Sequence, residues 1–330
     1  MKHRLAFAGK KLLRMALLLL GVSLAAFLLL SASPLDPLRT NVGQAALGTM
    51  SQAQIAQLED YWGVNTPPME RYLHWLGGVL RGDWGTSLLY RQPVTAVIGQ
   101  RLLASLGLMV FAWLCSGALG VLLGCVAGAF RGRLPDRLIR GWCLLLSSTP
   151  AFWLAILLLM VFAVWLGWLP IGLSVPIGVA AEGVSWLDRL RHAVLPALTL
   201  SITGVSSIAL HTRAKLLEVL EQDYILFARA RGERFFPILL RHGLRNIALP
   251  ALTLQFASIG EILGGSVLVE QVFSYPGLGQ AAVNAGVGSD LPLLLGITVL
   301  SAALVFGGNL AADLLYGVVD PRIRRGAARS

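Results

Sequence analysis

The chain has 330 residues, of which 56% are hydrophobic and only 13% charged, about half the charged fraction of an ordinary soluble protein. With a mean hydropathy of +0.71, this composition excludes a water-soluble globular fold. The net charge of +10 does not point to nucleic acid either, because the basic residues fall between apolar runs rather than along a soluble face.

Six apolar runs are long enough to cross the hydrocarbon core as helices: residues 13–31, 102–130, 140–166, 193–212, 247–270 and 291–318. The expected fold is an all-α integral membrane protein with about six transmembrane helices. The first run follows Lys2, Arg4, Lys10, Lys11 and Arg14 and ends at Ser31-Ala32-Ser33. It reads as an uncleaved membrane helix closing an N-terminal segment 1–31, with a cleaved signal peptide as the alternative.

Residues 32–101 form the longest polar stretch, with signals for short helices. Ser51 and Gln54 make a capping-box pattern, Ile55, Leu58 and Trp62 share a face, and Gly63 is a stop. Thr66 is expected to cap a second helix, with Pro67 in its first turn and Tyr72, Trp75, Leu76 and Val79 on an apolar face. Such a face belongs at the membrane interface or against the bundle.

The remaining five spans make a core over 102–320. Gly120, Gly124 and Gly128 recur at four-residue spacing in the second span, and Gly260 and Gly264 do so in the fifth, a pattern that lets helix backbones approach closely. Cys115, Cys125 and Cys143 lie inside apolar runs without CxxC spacing, so neither a disulfide framework nor a zinc site is expected.

Basic flanks stay on the cytoplasmic side. Of the 27 Lys and Arg, 20 fall in the N-terminus, the 131–140 loop, the loop after span four and the tail. Only Arg39, Arg71, Arg81, Arg91, Arg101, Arg189 and Arg191 fall on the other side. Both termini, including the tail 321–330, and the loop 213–246 are therefore expected to be cytoplasmic, and 32–101 extracytoplasmic. The basic pI follows from this sorting, and no nucleic-acid partner is expected.

The loop from Arg213 to Pro250 carries the most information. It contains Asp223, Tyr224, Ala228, Arg229, Ala230, Arg231 and Gly232, then Pro237, then Arg241, His242, Arg245, Asn246 and Pro250. A short helix with apolar and basic faces is expected to stop at Gly232, which tolerates the left-handed conformation, and a second is expected to start near Pro237. Two short helices bent at a glycine make a knob suited to a groove in a partner protein, or to the membrane surface.

This stretch resembles the coupling loop of permease subunits of ATP-binding-cassette importers, whose signature is a small-residue triplet, a following glycine and a hydrophobic-Pro end. Here these are Ala228 to Ala230, Gly232 and Leu249-Pro250. Ala-Arg-Gly, Arg-His and Leu-Arg-Asn are similar to the dipeptide, oligopeptide and nickel branch of that family. So are Gly82-Asp83-Trp84-Gly85-Thr86-Ser87, Thr149-Pro150-Ala151-Phe152-Trp153-Leu154, Phe273-Ser274-Tyr275-Pro276-Gly277-Leu278-Gly279 and Asp320-Pro321-Arg322-Ile323-Arg324. The triplet reads Ala-Arg-Ala where the parent signature begins with an acidic residue.

The resemblance implies a type I importer permease fold in the cytoplasmic membrane. It also implies a second homologous permease, two cytoplasmic ATPase subunits that engage the loop, and an extracytoplasmic substrate-binding protein. No cofactor is expected in this chain, ATP and Mg being held by the ATPases. The sequence agrees: its lysines, Lys2, Lys10, Lys11 and Lys215, fit no GxxxxGK[ST] pattern, and neither HExxH nor GxSxG occurs. An enzyme is not expected.

Ionisable groups within a span are costly unless they face a cavity or a partner. Glu261 in span five, and Asp313 with Asn309 one turn earlier in span six, are candidates for the translocation path, helix-to-helix hydrogen bonding being the alternative role. The Ile259 to Gly265 run looks closer to nickel-type than dipeptide-type members of the family, which leans the expected cargo towards nickel or a metal chelate, with di- or oligopeptide as the other class. A secondary transporter driven by an ion gradient is the alternative function. It would require coupling carboxylates and usually an inverted repeat, for which Glu261 and Asp313 alone are available.

Overall fold

The computed structural model describes residues 2–32, 37–42, 47–61, 66–176 and 183–319. Among them the elements are all helical, and extended pairing is limited to one bridge between Thr86 and Pro93. In chain order the helices are α1 (Lys2–Ser31), α2 (Pro37–Val42), α3 (Gln52–Tyr61), α4 (Pro68–Leu80), α5 (Val94–Ala129), α6 (Leu134–Ser147) and α7 (Ala151–Leu158). They continue as α8 (Trp186–Leu220), α9 (Asp223–Ala230), α10 (Phe235–Ile238), α11 (Arg245–Ala257), α12 (Ile259–Val272), α13 (Leu278–Val287) and α14 (Leu291–Val319). Wider π-helical turns extend α7 over Leu159–Trp165 and join α10 to α11 over Leu239–Leu244.

Four stretches are single helices long and apolar enough to cross a membrane: Leu13–Ser31, Val94–Ala129, Trp186–Leu220 and Leu291–Ala312. The third and fifth expected spans are bent instead. Leu134–Ser147 and Ala151–Trp165 meet at 107°, and Phe235–Ala257 and Ile259–Val272 at 43°. Pro150 has no amide hydrogen for helix bonding and disfavours the α conformation in the residue before it. The hydroxyls of Ser148 and Thr149 bond back to the carbonyls of Leu144 and Leu145 at 3.0 and 2.8 Å. Helix α6 also begins at Leu134 rather than 140, so most of the expected 131–140 loop is helical.

The chain divides into two units, Met1–Ser105 with Pro276–Phe306, and Leu106–Tyr275 with Gly307–Ser330. In the first unit, the capping box forms as expected: Ser51 N–H donates to Gln54 Oε1 at 2.9 Å, and Gln54 N–H to Ser51 Oγ at 3.3 Å. Trp62 and Gly63 lie outside the described residues. Thr66 does not cap α4; Pro67 occupies that position with no side-chain bond, and the chain enters the helix through Pro68.

The apolar face of α4 packs on α1 and α14, with Phe27, Tyr72 and Leu295 buried and Trp75 and Leu76 against them. The Tyr72 hydroxyl shares a 2.9 Å hydrogen bond with Ser23, and the Arg71 guanidinium sits 5.3 Å over the Phe27 ring. Next, Gly82 takes φ +89° to end α4, and Asp83 Oδ1 accepts from Gly85 N–H at 2.9 Å. Asp290 is fully buried. Its Oδ2 accepts from the Ser87 hydroxyl at 2.5 Å and Leu89 N–H at 3.0 Å, while Oδ1 accepts from Leu293 N–H in the first turn of α14 at 3.2 Å. One carboxylate thus fixes the Gly-Asp-Trp-Gly-Thr-Ser loop to a helix start.

In the second unit the glycine repeat does what its spacing predicts. A Cβ on Gly120 would lie 2.7 Å from Ile208, one on Gly124 2.6 Å from Thr212 and the Ala209 carbonyl, and one on Gly128 2.8 Å from Leu216. Only glycines allow α5 and α8 this close. The fifth-span expectation is corrected at Gly264, which has open space around it in this chain, whereas Gly265 faces Leu200 at 3.6 Å. The three cysteines are free thiols.

Candidate functional site

Helix α8 runs unbroken from Trp186 through Arg213 to Leu220 and delivers the chain to α9 two residues later. Asp223 is in the first turn of α9, where a carboxylate faces the positive end of the helix dipole. Ile225 and Ala228, three residues apart on one face, are buried in a cluster with Cys125, Leu216, Leu220, Ile238 and Ile247. The small Ala228 lets the short helix lie close on this base.

The end of α9 is a two-bond glycine stop. Glu233 N–H reaches the Ala228 carbonyl at 3.1 Å and Gly232 N–H the Arg229 carbonyl at 2.9 Å, with Gly232 at φ +84°. A side chain at that φ is strained. The expected second helix begins at Phe235, placing Pro237 in its first turn, where its missing N–H costs nothing.

The outer side of the knob is solvent-facing. Leu226 and Phe227 are 55% and 65% exposed, and Tyr224, Phe235 and Phe236 are exposed as well. Arg229, Ala230, Arg231, Gly232, Arg241, Arg245 and Asn246 are exposed among or beside them, while His242 and Pro250 are half-buried. The Arg231 guanidinium lies 5.9 Å from the Phe227 ring centroid. The Tyr224 and His242 rings are 5.8 Å apart, and Asn246 Nδ2 donates to the Tyr224 hydroxyl at 3.2 Å and to the His242 carbonyl at 2.7 Å. Residues 22 positions apart in sequence thereby make one surface, an apolar patch with a basic rim of the kind that receives a partner.

The candidate path residues are less concentrated. Glu261 is exposed in the first turn of α12, just past the 43° bend, and Asn309 is exposed on α14. The two helices meet beside them, where a Cβ on Gly308 would lie 2.9 Å from Ile259. The Asp313 side chain and the Asp320 to Arg324 stretch lie outside the described residues.

Sequence reading missed two groups here. Asp136 is fully buried and accepts a fork from Arg213, with Nε to Oδ1 at 2.5 Å and Nη2 to Oδ2 at 2.8 Å. The signal was a lone acid among Arg131, Arg133, Arg137 and Arg140 at the edge of an apolar run. Gln255 was also passed over: Trp113 Nε1–H donates to its backbone carbonyl at 2.6 Å, and its Nε2 donates back to the Trp113 carbonyl. This reciprocal pair holds α11 to α5 one turn before the bend.

Bent spans, small-residue helix contacts and an exposed knob on a long helix are the marks of a polytopic membrane protein. Residues 120–325 match the family of the binding-protein-dependent transport system inner membrane component, and the chain belongs to that family. It is 37% identical to the oligopeptide transport system permease protein AppB of Bacillus subtilis over 313 residues, covering 93% of this chain and 95% of that protein. It is 35% identical to the glutathione transport system permease protein GsiC of Salmonella typhimurium over 320 residues, covering 97% and 99%. Against the GsiC protein of Pectobacterium atrosepticum it is 36% identical over 317 residues, covering 96% and 97%. The chain is a transport permease and not an enzyme.

Proposed function

We propose that this chain is a permease subunit of an ATP-driven importer in the cytoplasmic membrane, with both termini cytoplasmic. The knob around α9 docks into a cleft of a cytoplasmic ATPase subunit, two ATPases serving this chain and a second, homologous permease. The observation carrying this reading is the two-sided α9, anchored by Ile225 and Ala228 and presenting Tyr224, Leu226, Phe227 and flanking arginines outward. An extracytoplasmic binding protein delivers the cargo, consistent with the family's description.

For cargo, peptides are favoured, a class that includes glutathione, because relatives matching nearly end to end are named for oligopeptide and glutathione transport. Nickel or a metal chelate is supported by a single feature, the exposed Glu261 beyond the bend. Mass spectrometry of the complex purified from native membranes in mild detergent tests the assembly, and metal and small-molecule analysis of the recovered binding protein tests the cargo. Recovery of an ATPase, a second permease and peptide supports this assignment. Recovery of the chain alone, with gradient-driven uptake after reconstitution, refutes it in favour of a secondary transporter.

A further inference from the structure

We propose that the Asp136–Arg213 fork is a positioning element that transmits movement of the α9 knob to the third span. The inference rests on the assignment of that knob as the ATPase contact. Three elements converge on the Asp136 carboxylate. Arg213 of α8 donates to both oxygens, Gly132 N–H in the turn between α5 and α6 donates to Oδ2 at 2.8 Å, and Asp136 itself is in the first turn of α6. Gly132 holds φ +74°, which aims its amide at the carboxylate.

The location gives the fork its role. Arg213 precedes the end of α8 by seven residues, about 10 Å of helix, and a second pair, Arg131 with Glu221, stands at the junction of α8 with the knob. Thus the turn between α5 and α6 is tied at two points just ahead of the knob, to Arg213 within α8 and to Glu221 at its C-terminal cap. Beyond Asp136, α6 leads without interruption to the 107° bend and α7. Movement of α9 enters α8 directly, and the fork passes it to the helix that ends at the bend.

Attachment alone does not require this pair. Close packing at Gly120, Gly124 and Gly128 already joins α5 to α8, and Cys143 with Val205 and Ala209 joins α6 to α8. Buried ion pairs are weak contributors to net stability when compared with apolar replacements. A bidentate fork instead supplies direction, because a planar guanidinium meets a carboxylate in one orientation and resists sliding along the helix axis. Apolar packing resists separation more than it resists a shift in register.

The test uses the whole importer, with its permease partner, ATPases and binding protein, reconstituted in liposomes with glutathione and trialanine as separate probes. ATP hydrolysis and probe uptake are measured together, alongside complex recovery and thermal melting. For Asp136→Asn and Arg213→Lys, complex recovery and hydrolysis are expected within twofold of wild type while uptake falls at least tenfold, so ATP consumed per probe rises about tenfold. Arg213→Lys separates the explanations, since lysine preserves the buried charge balance but not the planar two-point geometry. Normal ATP per probe in Arg213→Lys would overturn the proposal, as would hydrolysis and uptake falling in parallel in both variants. Failure of the underlying knob assignment is distinguishable, because the wild-type chain would then be recovered with no ATPase, or Gly232→Val would leave uptake at the wild-type value.

Discussion

The seam between α5 and α8 and the bent third and fifth spans lie in the same unit but are built on opposite principles. Along the seam, glycines four residues apart bring two long helices together, and just past the end of α5 Asp136 of α6 accepts a fork from Arg213 of α8. In the bent spans, Pro150, the break at Ser258 and π-helical turns interrupt the ladder of backbone hydrogen bonds, and side-chain hydroxyls such as that of Ser258, bonded to the Gln255 carbonyl at 2.8 Å, satisfy some of the freed groups. The same apolar composition therefore yields a closely packed pair of long helices and a pair of elbows. Small residues in register decide the first, and breaks at isolated positions decide the second.

The largest effect should come from breaking the seam. Gly124→Leu places a branched side chain where even a Cβ would meet the Ala209 carbonyl at 2.6 Å, and is expected to destabilise the protein by about 3 kcal/mol, read as a lower melting temperature in detergent. An unchanged melting temperature would mean that the helices are not closely packed in the membrane. Gly232→Val addresses the knob, where a β-branched residue at φ +84° costs about 1–2 kcal/mol of backbone strain. The protein should still reach the membrane in normal amount while glutathione or peptide uptake is lost; normal uptake would remove the knob from the mechanism.

Glu261→Gln probes the elbow in the fifth span. If the carboxylate attracts a cation, nickel uptake should fall several-fold while trialanine uptake changes little, and equal effects would leave only a packing role. The smallest effect belongs to Ser51→Ala, which removes the hydroxyl half of the capping box from an exposed helix start at a cost of about 1 kcal/mol. Hydrogen exchange should quicken locally in α3 with uptake unchanged, which marks how far a merely local defect spreads beside the others.

How much of this was legible in sequence depends on the range of the interaction. The capping box, the glycine repeat of the second span and the stop at Gly232 each rest on residues within a few positions and formed where their spacing placed them, whereas at Gly264 the same spacing met open space. The 107° bend was hidden because hydropathy measures only whether a segment prefers lipid, and both arms around Pro150 do. Asp136 and Arg213 lie 77 positions apart, and nothing local to either names the other. Likewise, Tyr224, His242 and Asn246 could be identified as members of one loop, but their shared surface required the fold of α9 against the π-helical turn.

The unbroken course of α8 has a geometrical consequence. Pro196 removes one rung of its backbone ladder, and the 24 residues from Ala197 to Leu220 make a rod about 36 Å long. If such a rod tilts by about 10° around its midpoint, each end swings through roughly 3 Å, in opposite directions and by more than half the 5.4 Å pitch of a helical turn. In such a tilt a displacement at Leu220 reappears near Ala197 with its sign reversed, which gives this part of α8 the geometry of a see-saw.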